Sequence, residues 1–422
     1  MIALNSHLSL RVCVLTYNKT LYVYPTTFIW MKVMDTREYI NRYLKAAKLA
    51  AEWLKTFQVK DASSEYYGSI PAPYKPKSMK IPKTMFCWAA KWVIPGLLED
   101  YHRRDDISSL KSAIMFVQHL MNRQVKEGRG RGAYLSCLYI CSDVYSWTWY
   151  DIADTGVAAS GMIYLYKELG DSDILESIKL AGEFILSWQD PDEGWIRAWP
   201  GDIMLYGRIQ PYNVLEDSPW CQAQVLPHLY KVTKDKKWLN AAIKAAEFTI
   251  NNVQQDKCGI FWRYDLVKRK PIGPSPSSTP QTRARTEHYV MELMLDLYEI
   301  TGEDKWLNAA IKEANYCLKT QNSDGSWYHF INTREGGKEG TGSQMIALSL
   351  LRVYSYTKDK RYLKAALKAL DWVASLQYTG CDALAFGGIV SYGGDVYGEI
   401  SSWGTGAALL AFYKAVEILE QL

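Results

Sequence analysis

The chain has 422 residues, of which 48% are hydrophobic, enough to bury a large core. Its formal net charge of +4 is small, and Lys and Arg are spread along the chain, so we expect no nucleic-acid partner. No apolar run reaches the length of about eighteen residues that a membrane span needs. The eight Cys residues lack zinc-like spacing, and the chain does not open with an export signal. We interpret the Cys residues as buried thiols of a cytoplasmic protein, and we expect no metal and no cofactor.

The first 34 residues do not share the pattern of the rest. Leu21-Tyr22-Val23-Tyr24 is typical of a β-strand but has no evident strand partner. Met31 and Met34 lie just before the first predicted helix. We predict that residues 1–34 are an N-terminal extension outside the fold, either a surface arm or sequence read from an upstream start codon.

From residue 35 onward, one phrase recurs roughly every 65 residues, a period that is typical of repeat proteins. The four clearest copies begin with an aromatic residue, a Leu and two Ala, and end at a Gln, as in the copy that starts at Trp238. Apolar residues at i, i+3/i+4 and i+7 predict that each copy is an amphipathic helix. The copies, including two weaker ones, end at Gln58, Gln124, Gln189, Gln254, Gln321 and Gln377.

A turn signal precedes most copies, as in Leu169-Gly170-Asp171 and Thr301-Gly302-Glu303-Asp304. In these signals Gly ends one helix, and an acidic residue caps the next. The helix before each turn is apolar nearly all round, which predicts an inner position, with the amphipathic copy outside it. The inner helices are predicted over 155–168, 220–232, 288–300, 343–356 and 403–419.

The connections alternate between tight turns and returns of roughly 20 to 30 residues, and loops that long are usually functional or disordered. All tight turns must therefore lie at one end, and the long, Trp- and Tyr-rich loops at the other. We predict one all-α domain over residues 35–422, an (α/α)6 barrel of six helical hairpins with its long loops on one face. An open right-handed stack of the same hairpins is the alternative.

The segment Gln321-Asn322-Ser323-Asp324-Gly325-Ser326-Trp327 resembles a turn of the α/α-toroid superfamily, which includes six-hairpin glycosidases and terpenoid cyclases. Gln189 to Trp195 is a looser copy, and the likeness extends from about residue 36 to the C-terminus. Unsaturated-uronide hydrolases and related glycosidases of this fold use Asp near the starts of inner helices. The resemblance therefore implies a carbohydrate-active enzyme, a glycoside hydrolase acting on a small-molecule or oligosaccharide substrate, with acidic or unsaturated uronide sugars among the candidates.

Several acidic residues fall where the inner helices begin, so a closed ring would bring them to a common funnel. Sugar hydrolysis needs one protonated and one ionised carboxyl group. Asp151 and Asp154 are the best pair, because they share a helix face and follow a run of aromatic residues. Ordinary helix capping would use the same residue types. The catalytic candidates are Asp151, Asp154, Glu216, Asp217 and Glu287.

Aromatic side chains of the long loops suit the C–H faces of sugar rings, although they also suit packing of the loops on the barrel rim. Arg283 and Arg285 suit a substrate carboxylate or sulfate, with salt bridges to rim acids as the alternative. The substrate-binding candidates are Trp147, Trp149, Trp195, Tyr212, Arg283, Arg285, His288, Trp327, Glu339, Tyr392 and Glu399.

Other functions stay open at this point, as do the sugar, the linkage and the oligomeric state. A terpenoid cyclase needs an Asp-x-Asp-Asp motif, and the nearest string, Asp171-Ser172-Asp173-Ile174, lacks the last Asp and lies on the short-turn side. A sugar epimerase of this fold uses paired His, whereas only His288 is near an inner-helix start and His329 is in a loop. A non-catalytic glycan-binding or scaffold toroid would keep the aromatic residues without the acids.

Overall fold

The computed structural model of the chain describes residues 15–17, 20–22, 36–76, 84–139, 146–198, 213–255, 259–275, 278–393 and 398–422. Helices dominate these residues, as predicted. They are α1 (Thr36–Phe57), α2 (Ala90–Arg104), α3 (Ile107–Asn122), α4 (Ile152–Leu169), α5 (Ser172–Leu186), α6 (Val225–Thr233), α7 (Lys236–Phe248), α8 (Ala284–Thr301), α9 (Asp304–Thr320), α10 (Gly340–Thr357), α11 (Lys360–Ser375) and α12 (Ser402–Glu420). Short 3₁₀ turns precede α2 and α6, and a π-helical turn follows α7.

The even-numbered helices form a closed inner ring, in which each packs against the next and α12 packs against α2. Each inner helix also packs against the outer helix that follows it in the chain. The sixth hairpin joins the two ends of the chain, because the last inner helix, α12, packs against α1. The predicted (α/α)6 barrel is therefore confirmed, and the open stack is wrong.

The short turns between inner and outer helices share one local design. A residue with left-handed backbone ends the inner helix, as at Gly170 (φ 68°) and Lys234 (φ 60°). At four of these turns the next residue is an Asp whose carboxylate accepts a hydrogen bond from a backbone N–H in the first turn of the outer helix, as Asp171 and Asp235 do. Before α9 this position is Glu303, whose side chain makes no such hydrogen bond. These caps let the chain reverse in very few residues, which keeps this end of the barrel free of long loops.

The repeated Gln residues join neighbouring outer helices. The Gln321 side-chain amide donates to Gly325 O in its own turn and to Ala365 O on α11. Gln377 does the same with Gly387 O and with Ala46 O on α1, and so closes the outer layer. Gly325 has a φ of +99°, and a Cβ there would lie 2.3 Å from Lys368 O, so the turn requires Gly.

The long loops carry short antiparallel strands that position the loop side chains. Three-stranded sheets run in the orders β3-β4-β5 and β10-β9-β6, and the others are two-stranded. The strands are β1 (Leu15–Tyr17), β2 (Thr20–Tyr22), β3 (Thr84–Met85), β4 (Ser136–Tyr139), β5 (Ser146–Trp149), β6 (Val214–Glu216), β7 (Gln254–Gln255), β8 (Gly259–Ile260), β9 (Arg263–Asp265), β10 (Lys270–Pro271), β11 (Tyr328–Phe330), β12 (Glu335–Lys338), β13 (Val390–Tyr392) and β14 (Glu399–Ile400).

Four further expectations can be compared with the described residues. Thr20–Tyr22 pairs with Leu15–Tyr17, so the expectation that this strand lacks a partner is wrong. Buried free thiols occur as expected at Cys87, Cys221 and Cys317, whereas Cys381 is exposed. No helix in the described part of the chain is both long and apolar enough to cross a membrane. No cluster of three or more His, Cys, Asp or Glu that could hold a metal ion occurs within the ranges given above.

Candidate active site

A cavity of about 430 Å³ opens at the end of the barrel where the inner helices begin. Because every inner helix is entered from a long loop, all six N-termini lie at this end, and residues far apart in sequence meet there. The predicted candidates that line the cavity are Asp151, Asp154, Glu216, Asp217, Arg283, Arg285, Tyr392 and Glu399.

Asp151 is the N-cap of α4, and its position is fixed by the strand β5 that precedes it. The backbone N–H of Asp154 donates to Asp151 Oδ1 at 2.5 Å, and the two carboxyl groups also hydrogen-bond to each other. Asp151 is only 5% exposed. Two carboxyl groups at such short range resist ionising together, because their negative charges repel.

Burial, helped by the charge of Asp154, raises the pKa of Asp151 well above its ordinary value. Burial also raises the pKa of Asp154 to about 7, although the hydrogen bond from Asp151 and the charge of Arg285 act in the opposite direction. A helix N-terminus would by itself lower both pKa values. Desolvation therefore outweighs the helix dipole here, and the pair is able to donate a proton near neutral pH.

The cavity's other acids, in contrast, are each held by a cation. Asp217, whose φ of +46° is unusual for a residue other than Gly, accepts from Arg283 Nη1 at 2.5 Å and from Thr286 Oγ1 at 3.0 Å. Glu216 faces Arg263 across the β6–β9 strand pair, with 2.8 Å between Oε1 and Nε. Glu399 forms an ion pair with Lys75 at 2.6 Å. Each of these three carboxyl groups of the cavity wall therefore already has a cationic partner.

Arg285 is held in place from three sides. Its Nε lies 2.9 Å from Glu339 Oε1, and its guanidinium group lies 5.9 Å from the Trp88 ring and 5.7 Å from the Tyr392 ring. Burial would raise the pKa of Glu339, but Arg285 and His329 together hold it below its ordinary value. The terminal nitrogens of Arg285 thus belong to a rigid cation that lines the cavity beside Asp154.

An aromatic wall faces these charges. Trp88 and Trp403 stack with their ring centroids 5.0 Å apart, and Phe86 meets Trp403 edge-on at 5.2 Å. Sequence reasoning missed these three side chains because it considered only the aromatic residues of the long loops. Their position near the start of an inner helix, α2 or α12, could have identified them, because the same feature identified the acids. The other lining residues that were not predicted are Pro73, Ala153, Val157, Ala198, Cys221 and Tyr289.

Several predicted substrate-binding aromatic residues do not face the cavity, and their assignment is corrected. Trp149 is buried against the Phe86 ring, Trp195 packs beside the core near the turn that starts at Gln189, and Trp327 is fully buried and donates to Cys317 O. Rim and turn packing thus accounts for them. Tyr212 lies outside the described residues, and the side chain of Trp147 is not described.

Three more candidates lie behind the cavity surface. Glu287 is fully buried and accepts from the Ile260 N–H, and burial together with nearby Glu313 raises its pKa well above the ordinary value. His288 is buried against Ser349, 2.8 Å away, and burial lowers its pKa to about 4. Glu339 reaches the cavity only through Arg285. A direct catalytic role for Glu287 and direct substrate binding by His288 and Glu339 are therefore corrected, since none of the three lines the cavity.

Neither a protein-family model nor a curated protein sequence matches the chain. Solved structures do match it. An unsaturated glucuronyl hydrolase specific for heparin has a TM-score of 0.68 at 16% identity, over 91% of this chain and 98% of that one. An α-mannanase of glycoside hydrolase family 76 from Bacteroides thetaiotaomicron has a TM-score of 0.65 at 16% identity, over 92% and 99%. This chain has the α/α-toroid fold.

The same toroid also carries a different reaction. The cellobiose 2-epimerase from Bacillus thermoamylovorans matches with a TM-score of 0.67 at 13% identity, over 92% of this chain and all of that one (100%). Since proteins with different activities match about equally well, the likeness establishes the fold, and the reaction has to be argued from the cavity.

Proposed function

We propose that this protein is a glycoside hydrolase whose proton donor is the Asp151–Asp154 pair. The observation that carries the proposal is that this pair of adjacent carboxyl groups, both with raised pKa values, lies in the lining of an aromatic-walled cavity at the mouth of the toroid. A carboxyl group kept protonated near neutral pH is what the leaving oxygen or an electron-rich carbon of a sugar requires.

The closeness of the pair favours one class of substrate. Acid and nucleophile, or acid and base, are usually roughly 5 to 10 Å apart in glycosidases, so two hydrogen-bonded carboxyls act as one unit. An unsaturated uronide needs only such a unit. The pair protonates C4 of the C4=C5 bond, and positive charge develops on C5 and the ring oxygen. Water then adds to C5 and returns a proton to the pair, and ring opening of the hydrated sugar releases the leaving alcohol.

Arg285 supports the same substrate class. Its guanidinium group is fixed between two aromatic rings and lies close enough to Asp154 to influence the pKa of that carboxyl. A uronide carboxylate placed on Arg285 would bring the adjacent double bond towards the acid pair. The stacked rings of Trp88 and Trp403 would cover the apolar face of the sugar.

Direct hydrolysis of a saturated glycoside is the second candidate, and Asp217 is the observation that favours it. This carboxylate lines the same cavity, is held as an anion by Arg283, and has a left-handed backbone that directs it there. It would then serve as the second carboxyl, with the Asp151–Asp154 pair as the acid. Epimerisation has less support, because no His lines the described part of the cavity.

The test is a panel of unsaturated uronide disaccharides and saturated neutral and acidic oligosaccharides. Loss of ultraviolet absorbance would report hydration of the double bond, and new reducing ends would report direct hydrolysis. We expect turnover of the unsaturated uronides, with a loss of about 10²-fold or more in Asp151→Asn and Asp154→Asn.

Asp173→Asn is the matched control, because Asp173 is exposed at the opposite end of the barrel and should leave the rate unchanged. Turnover that survives both cavity substitutions would refute the assignment of the pair. Turnover of saturated glycosides that is abolished by Asp217→Asn would favour the second candidate. Binding without turnover of any glycan would identify a non-catalytic glycan-binding toroid.

A further inference from the structure

A second cavity, of about 440 Å³, lies at the other end of the barrel, where the inner helices terminate. The sequence predicted no functional site at this end, because only tight turns occur there. All six inner helices nevertheless contribute to its lining, through Glu99, Tyr164, His228, Asp296, Arg352 and Lys414. Its volume matches that of the proposed active site, and it lies within the range of small-molecule sites.

Most charges in this second cavity neutralise each other. Arg352 donates to Glu292 at 2.8 Å and to Asp296 at 2.6 Å. Lys231 is paired with Glu299 at 3.1 Å, and Lys414 with Glu417 at 2.8 Å. A paired side chain would have to give up its ion pair in order to bind a charged group of a ligand. These residues therefore line the cavity without being the groups that bind a ligand.

Two charges of the lining are left over, and they have opposite signs. Glu99 on α2 and Lys167 on α4 form no ion pair with any residue in the described ranges, and their helices are neighbours in the inner ring. Lys167 is exposed to solvent, and its Nζ lies 5.6 Å from the centre of the Tyr164 ring, which places this ammonium beside the apolar part of the cavity. Helix neighbours are roughly 8 to 10 Å apart, so a small molecule can reach both side chains at once. A ligand that carries both a cationic and an anionic group would therefore complement Glu99 and Lys167.

A third polar group is also unsatisfied. His228 is only 6% exposed, and its Nδ1 has no hydrogen-bond partner in the described structure, while its ring lies 6.0 Å from that of Tyr164. Burial lowers the pKa of His228 to about 3, so the imidazole is neutral and able to bind a polar ligand atom. Leu348 and Leu410 supply apolar surface beside it.

We propose that this second cavity binds a small zwitterion with an apolar side chain, of the α-amino acid class. The ligand ammonium pairs with Glu99, its carboxylate with Lys167, and its side chain packs on the leucines and the Tyr164 ring. Ligands with one charge satisfy only one of the two groups, and multiply charged anions meet the surrounding carboxylates. The inference does not depend on the proposed hydrolase activity.

The experiment measures binding of three probes to the intact protein by calorimetry or ligand-observed NMR. L-leucine carries both charges, L-leucinamide carries only the cation, and N-acetyl-L-leucine carries only the anion. We expect L-leucine to bind, and each derivative to bind about tenfold or more weakly in comparison, because a charge-assisted hydrogen bond is lost.

Glu99→Gln and Lys167→Met should each weaken L-leucine binding by about tenfold or more. The matched controls are Glu176→Gln and Lys179→Met, which remove an exposed ion pair on α5 and should leave binding unchanged. Thermal unfolding of every variant checks that the fold is retained. The proposal is overturned if L-leucine fails to bind the folded wild type at about 10 mM. It is also overturned if the singly charged probes bind equally well, or if both cavity variants bind like the wild type.

Discussion

The two ends of the barrel are built from the same six inner helices, yet their acids behave in opposite ways. At the end where the helices begin, burial raises the pKa values of Asp151 and Asp154. At the end where they terminate, burial acts in the same direction on Glu292 and Asp296, but Arg352 reverses it and lowers both pKa values. Helix dipoles alone would give the reverse pattern, with lowered values at the N-termini.

The difference shows that the partner of a buried carboxyl decides its protonation in this fold. Arg352 reaches two carboxylates directly, whereas the cation that lowers the pKa of Asp154, Arg285, is already paired with Glu339. One end therefore keeps its acids ionised and rigid, and the other keeps a proton available. Four substitutions test this contrast.

The largest effect is expected at the acid pair. Asp154→Asn should lower kcat/KM by about 10²- to 10⁴-fold on the substrate found by the panel, because it removes the ionised member of the pair. In the wild type, kcat/KM should rise as the pH increases through about 7, where Asp154 loses its proton, and fall at higher pH where Asp151 ionises. A pH–rate profile measures this, and a rate independent of pH between 5 and 8 would contradict it.

The next largest effect is expected at the opposite end. Arg352→Met leaves Glu292 and Asp296 buried without their main cation, so the free energy of unfolding should fall by about 3 to 5 kcal/mol at neutral pH. The loss should shrink at low pH, where the two carboxyls become protonated. Denaturant unfolding measures it, with Arg361→Met, at an exposed surface pair, as the control that should not change. Equal stability of the two variants would mean that the ion-pair network does not hold this end together.

A smaller effect is expected for Arg285→Met, which keeps the packing volume between Trp88 and Tyr392 but removes the charge. KM for an acidic sugar should rise about 10- to 100-fold, since a charge-assisted contact is lost, while a neutral sugar should be little affected. Steady-state kinetics on both substrates measures the difference. Arg269→Met, which breaks a surface pair with Glu193, is the control. An equal rise for both substrates would assign Arg285 to packing alone.

The smallest effect, counted per pH unit, concerns Glu287, which pairs with Glu313 between α8 and α9. Because burial raises its pKa in the folded state, the folded chain keeps a proton that the unfolded chain releases. Stability is therefore greatest below the ordinary pKa of Glu and falls by up to about 1.4 kcal/mol per pH unit as the pH rises towards the folded-state pKa. Glu287→Gln should remove this slope and be the more stable protein at pH 8. If the free energies of unfolding of the two proteins change in parallel between pH 5 and 8, then Glu287 does not hold an extra proton in the folded chain.

Much of the fold follows from repeated local signals. Gln321, Gly325 and the Asp caps each have a role that depends on residues close in sequence, so their spacing predicts the hairpins and the end at which the loops lie. The acid pair was also predictable, because Asp151 and Asp154 are three residues apart on one helix. Trp149 and Trp327 were misassigned, since a loop aromatic residue has the same sequence signal whether it faces a ligand or the barrel rim.

The six hairpins, the end that carries the long loops and the carboxyl pair at the start of α4 could be predicted from the sequence, because all of these depend on contacts within a few residues. Which charges meet could be read only from the folded chain. Arg285 with Glu339, Arg352 with Glu292, and Glu287 with Glu313 come from different helices, and whether a buried carboxyl finds a cation or another acid depends on ring closure. That pairing fixes where a proton is held, and so which end of the barrel is suited to chemistry.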